Sequence, residues 1–130
     1  MRTLKGVKVL VVENNAIDFV GIKDFLGSWE CVVLRRVADV THALRYIDAN
    51  ASSIDVAISS IKLVGETRAN PIIDALIERK IPVVIQTGGD PATGVDAQYH
   101  HLPVLRKPVD YNLLRETLLR LVGKESGERT

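Results

Sequence analysis

Cysteine is nearly absent from this sequence. The single Cys31 excludes an internal disulfide, and with no Cys-x-x-Cys pair there is no zinc or redox framework. Charge of one sign is missing too. The formal net charge of +1 gives no long-range field for nucleic acid or for a membrane surface. Aromatic residues make up only 5% of the chain, with one tryptophan. Long apolar runs are lacking as well. Val9 to Val12 is far too short for a signal peptide or a membrane span, so a cytoplasmic protein is expected.

What is present is a globular composition, 46% hydrophobic and 25% charged over 130 residues, enough for one domain with one core. Apolar runs at Val7 to Val12, Cys31 to Leu34, Ile54 to Ile58, Ile81 to Ile85 and Leu102 to Leu105 read as strands. Arg35-Arg36 reads as a solvated sheet edge. Between the strands lie helical patterns: Ala16 to Ser28, with Ile17, Val20, Phe25 and Leu26 as its face and Gly21 as a weak point; one capped by Asp39; Pro71 to Arg79; a weak one opened by Pro91; and one capped by Asp110 and closed by Gly123. Residues 1–123 form the expected domain and 124–130 a frayed tail.

Strands alternating with helices predict an α/β fold, a flavodoxin-like (βα)5 three-layer sandwich with a parallel five-stranded sheet in order 2-1-3-4-5. In that order ligands lie beyond the C-terminal ends of the strands. The residues there are Glu13 and Asn14 after the first strand, Ser60 after the third, Thr87 after the fourth and Lys107-Pro108 after the fifth. Small, acidic and basic groups thus converge on one edge. The Asp55-Val-Ala-Ile-Ser-Ser60 stretch is central to it.

This pattern resembles the receiver domain of bacterial two-component response regulators over nearly the whole chain. Val11-Val12-Glu13-Asn14 stands against the family's usual acidic pair and Asp55 to Ser60 against its usual strand ending in Asp, while Thr87 and Leu105-Arg-Lys-Pro108 match its threonine and lysine motifs. Ile81-Pro-Val-Val-Ile-Gln-Thr-Gly88 further resembles the FAT GUY single-domain receivers of alphaproteobacterial signalling, departing at Ile85, Gln86 and Gly89. The resemblance implies an aspartate acceptor where Ser60 stands. It also implies a metal-binding acid where Asn14 stands and an aromatic reporter where Val104 stands. It implies a cis peptide bond before Pro108.

With Glu13 as the one carboxylate counted against Lys107, and Lys62 adding a second positive charge, the pocket holds little to attract Mg²⁺, and no cofactor is expected. Nor is a base expected beside Ser60, since the topology places His42, His100 and His101 elsewhere. His100-His101 reads as structural or solvated. The expected function is a stand-alone degenerate receiver, not an enzyme, with Glu13, Asn14, Ser60, Thr87 and Lys107 as its disarmed pocket. It would act by protein–protein contact through a face carrying Val104, Leu105 and Tyr111. The expected partners are another signalling protein (histidine kinase, regulator or output protein) or a second copy in a homodimer, without nucleic acid or membrane. Two alternatives stand beside this reading: a receiver phosphorylated on Ser60 or Asp55, and a flavodoxin-like cofactor binder.

Overall fold

The computed structural model describes residues 1–125. Its strands are β1 (Arg2–Thr3), β2 (Lys8–Val12), β3 (Val32–Val37), β4 (Val56–Ser60), β5 (Val83–Thr87), β6 (Val104–Arg106) and β7 (Lys124–Glu125). Its helices are α1 (Ala16–Ser28), α2 (Val40–Asn50), α3 (Asn70–Glu78), α4 (Pro91–Gly94) and α5 (Tyr111–Val122). Five parallel strands pair in the order β3-β2-β4-β5-β6. Taken by chain order among those five, this is the expected 2-1-3-4-5.

The central strands bury both faces because their alternate residues enter two different cores. Leu10, Val12, Ala57 and Ile85 pack with Ile47, Ile72, Ile73 and Leu76 of α2 and α3. Val9, Val11, Ile58 and Val84 pack with Ile22 and Leu26 of α1 and with Leu114 and Leu118 of α5. The helix starts are fixed by side chains. Asn15 accepts the Asp18 N–H at 2.9 Å, Asp39 accepts the His42 N–H at 2.9 Å, and Asp110 accepts from Asn112 and Leu113.

Several boundaries differ from expectation for identifiable reasons. β4 continues through Ser59 and Ser60, because both are buried and Ser60 stays in register with Gln86 of β5. β3 runs on to Val37, so Arg35 and Arg36 are strand residues. Of the residues expected on α1's buried face, Leu26 is buried but Ile17 is 83% exposed; Ile22 takes the inner position instead. Gly21 has a packing role. A Cβ there would lie 2.5 Å from the Tyr111 hydroxyl, so glycine admits that ring against α1. The expected frayed tail begins as a strand, since Lys124 and Glu125 pair antiparallel with Arg2 and Thr3. The rest of that tail, residues 126–130, lies outside the described residues.

Candidate functional site

Glu13 leaves β2 at the C-terminal edge of the sheet and is 1% exposed. Its backbone is held from the neighbouring strand: its N–H donates to the Val37 carbonyl at 3.0 Å. Arg36 donates from Nε to the Glu13 carbonyl and from Nη2 to the Asn14 carbonyl, each at 3.0 Å. The Arg36 guanidinium also lies 5.3 Å from the centre of the Phe19 ring. Arg36 is therefore a clamp on the loop that presents Glu13, not a solvated edge charge. Asn14 enters this arrangement through its backbone carbonyl.

Both carboxylate oxygens of Glu13 are engaged. Oε2 accepts the Asn15 N–H at 3.0 Å. Oε1 accepts from Ser60 Oγ at 2.5 Å and from Lys107 Nζ at 2.9 Å. Lys107 Nζ donates a second bond, 2.9 Å, to Asp18 Oδ2 on the first turn of α1. Burial pulls the Lys107 ammonium toward losing its proton. The hydrogen bonds to Asp18 and Glu13, with their charges, outweigh that and raise its pKa above 10.5. Lys107 is set by its own backbone, whose N–H donates to the Thr87 carbonyl at 2.8 Å, and the Lys107–Pro108 bond is cis. Thr87 Oγ1 accepts the Gly89 N–H at 3.2 Å.

Ser60, Thr87 and Lys107 line a cavity of about 300 Å³ with Lys62, Gln86 and the Gly88–Gly89 turn. The structure thus brings Glu13, Ser60, Thr87 and Lys107 together. It corrects two parts of the expected charge balance. Asp18 adds a second carboxylate, and the Glu13 oxygen that accepts the Ser60 hydroxyl is an adjacent base where none was expected. Asp18 lies in the first turn of α1, where an acid is common, so nothing in the sequence singles it out.

The arrangement does not suit Mg²⁺. A hard divalent cation needs free anionic oxygens, and Glu13 has both of its oxygens committed, one of them to a cation. Among the described residues no group of three or more His, Cys, Asp or Glu side chains is placed to hold a metal. His42 pairs with Asp39, and His100 Nε2 lies 2.9 Å from the Val95 carbonyl oxygen.

Val104, Leu105 and Tyr111 do not form one face. Neighbouring residues on a strand point to opposite sides of the sheet. Leu105 is buried with α1 and α5, whereas Val104 packs toward the α2–α3 side. Tyr111 stacks on Phe25 of α1, with ring centres 4.0 Å apart and planes 11° apart. Asp55 lies at the far end of β4, where its Oδ2 accepts the Lys8 N–H at 2.8 Å.

No protein-family model and no curated protein matches this chain. Solved structures do. SdrG from Sphingomonas melonis Fr1 is 30% identical, with a TM-score of 0.78, over 89% of this chain and 96% of SdrG. The BeF3-activated conformation of SdrG from Pseudomonas melonis Fr1 is also 30% identical, with a TM-score of 0.75, over 94% and 99%. A response regulator receiver protein from Sinorhizobium medicae shares the fold at 18% identity and a TM-score of 0.75, over 92% and 97%.

Proposed function

Since the chain belongs to the response-regulator receiver family, we propose that it is a receiver in which Ser60 stands in the phosphoacceptor position, and that it signals by binding other proteins without aspartyl phosphorylation. One observation carries this reading. Ser60 Oγ and Lys107 Nζ both donate to Glu13 Oε1, and Lys107 is tied further to Asp18. Glu13 and Lys107 are already satisfied by internal pairs. A serine hydroxyl neither binds Mg²⁺ as a carboxylate does nor forms an acyl phosphate. Asn14 replaces an acid and does not restore one. The domain then works as a binding module rather than a catalyst, toward a histidine kinase, a regulator, an output protein or a second copy.

A second reading has its own support. Ser60 Oγ points its proton at a carboxylate, which is the local geometry of an activated hydroxyl. Under it, Ser60 would take a phosphoryl group as an acid-stable ester. The shared use of Glu13 Oε1 by Lys107 weighs against it, because that oxygen already neutralises a cation.

Intact-mass spectrometry after incubation with acetyl phosphate and Mg²⁺ tests both readings. The expected result is an unmodified chain. An acid-stable adduct mapped to Ser60 establishes the second reading and overturns the first. SdrG has a BeF3-activated conformation. Adding beryllium fluoride and Mg²⁺ to this chain should leave the amide resonances of Ser60 and Thr87 in place.

A further inference from the structure

Gln86 lines the pocket beside Ser60, but its side chain takes no part in the hydrogen-bond network there. It lies on β5 opposite Ser60 and is 1% exposed. Neither its Oε1 nor its Nε2 has a hydrogen-bond partner among the described residues. Strand alternation puts its side chain on the same sheet face as Val84, toward α1 and α5. A second cavity of about 110 Å³, sharing Gln86 and Lys107 with the first, opens there, lined by Gln86, Asp18, Lys107, Tyr111, Ile22 and Val109. Burying an amide without partners is costly, and an apolar residue of the same size would avoid the cost.

We propose that this cavity between α1 and α5 binds the primary carboxamide head of a neutral small molecule, with Gln86 as its recognition residue. An amide with both its donor and its acceptor unmet is complemented by another primary amide, each donating one N–H to the other's carbonyl. The ligand is neutral because the charges that line the cavity, Asp18 and Lys107, already pair with each other. Size agrees: an apolar cavity of about 150 Å³ holds benzene, so this smaller space suits an amide with one or two carbons against Ile22 and Val109. The cavity lies on the same sheet face as Ser60 and shares Gln86 and Lys107 with the pocket beside it, so the binding test is run without any phosphodonor, where its failure says nothing about whether Ser60 accepts phosphate.

The test is NMR titration of the ¹⁵N-labelled chain with propionamide, without any phosphodonor. The expected result is saturable shifts at the Gln86 side-chain amide and at the Val109 and Tyr111 backbone amides. N,N-dimethylpropionamide, which accepts but cannot donate, should bind at least about tenfold more weakly. Gln86→Met should abolish binding. Should that variant not fold, Val109→Phe, which fills the same space, is expected to do so. Unsaturable or absent shifts in the parent chain would mean that water alone fills the cavity. That result, or equal binding by Gln86→Met or Val109→Phe, overturns the proposal.

Discussion

Asp55 immediately precedes β4 and Ser60 ends it, and their surroundings differ in kind. Asp55 exchanges bonds with one neighbour: its carboxylate accepts the Lys8 N–H at 2.8 Å, and its own N–H donates to the Lys8 carbonyl at 2.9 Å. Each group has a local partner, and the result is register between β4 and β2. Ser60 meets Glu13, which meets Lys107, which meets Asp18, so residues from four separate segments share acceptors. Gln86 beside them remains unmatched. One end of the strand is a fastening. The other is a network with shared and unmet groups, at the sheet edge where open α/β folds place ligands.

The largest break in that comparison should come from Lys107→Met. It leaves Glu13 buried beside a hydroxyl and one N–H, with no cation. Removing one partner of a buried pair costs about 3–5 kcal/mol, and the partial exposure of Lys107 and Asp18 puts this case near about 3 kcal/mol. Urea unfolding at neutral pH measures it. The same lysine predicts a pH dependence. Its folded pKa is raised, so its contribution is complete below about 10.5 and is lost as pH rises through the higher folded value. Tyr99, pushed up to about 12 by burial and by its hydrogen bond to Asp74, acts in the same sense. Stability should therefore fall between about pH 10 and about pH 12. Lys107→Met and Tyr99→Phe should each flatten that fall, and a flat profile in the parent chain would contradict both assignments.

The end of β4 that carries the network was the more legible in part. Glu13, Ser60, Thr87 and Lys107 each follow an apolar run that ends abruptly, so strand pattern and topology together bring them to one edge. Asp18 and Gln86 sit inside regular elements, where a first-turn acid and a lone strand amide carry no pattern of their own. Arg36 was hidden because charge at a strand end resembles an edge device, whereas here it binds two carbonyls of the neighbouring loop. On α1, apolar residues occur all round the helix, so periodicity picks out Ile17, Val20, Phe25 and Leu26, of which only Leu26 is buried. Packing of Tyr111 over Gly21 goes with burial of Ile22 and Leu26 and exposure of Ile17.

Adding carboxylates sharpens the comparison next. Asn14→Asp with Ser60→Asp would place two new acids near Glu13 and Asp18 and remove the hydroxyl that now donates to Glu13. Joint ionisation is disfavoured, and a loss of about 2 kcal/mol without metal is expected. Mg²⁺ binding the folded state should restore about 2.7 kcal/mol at a hundredfold excess over its Kd. The parent chain should show no comparable rise in Tm with millimolar Mg²⁺. An equal rise in both would show that the natural site already binds the metal. Ser60→Ala alone should cost less, about 1.5 kcal/mol in urea unfolding, because a bond to a charged acceptor is lost while Lys107 still holds Glu13.

The smallest effect is expected at the other end. In Asp55→Asn the amide oxygen can still accept the Lys8 N–H, so only the charge is lost, and the change should be about 0.5 kcal/mol. Asp55→Ala removes the acceptor as well and should cost about 1 kcal/mol, from a single bond at a partly solvated position. In both variants the amide resonances of Lys8 and Val56 should move, while those of Ser60, Thr87 and Lys107 stay fixed. Neither variant should alter the response to Mg²⁺ or to a phosphodonor. This separation is the decisive part. Asp55 is a carboxylate on the acceptor strand, and a phosphoryl group found on it would make the far end of β4 a reactive site. Equally, displaced Ser60 and Thr87 resonances in Asp55→Asn would show that the two ends act as one unit. A small, local and chemically silent effect is what a register bond predicts.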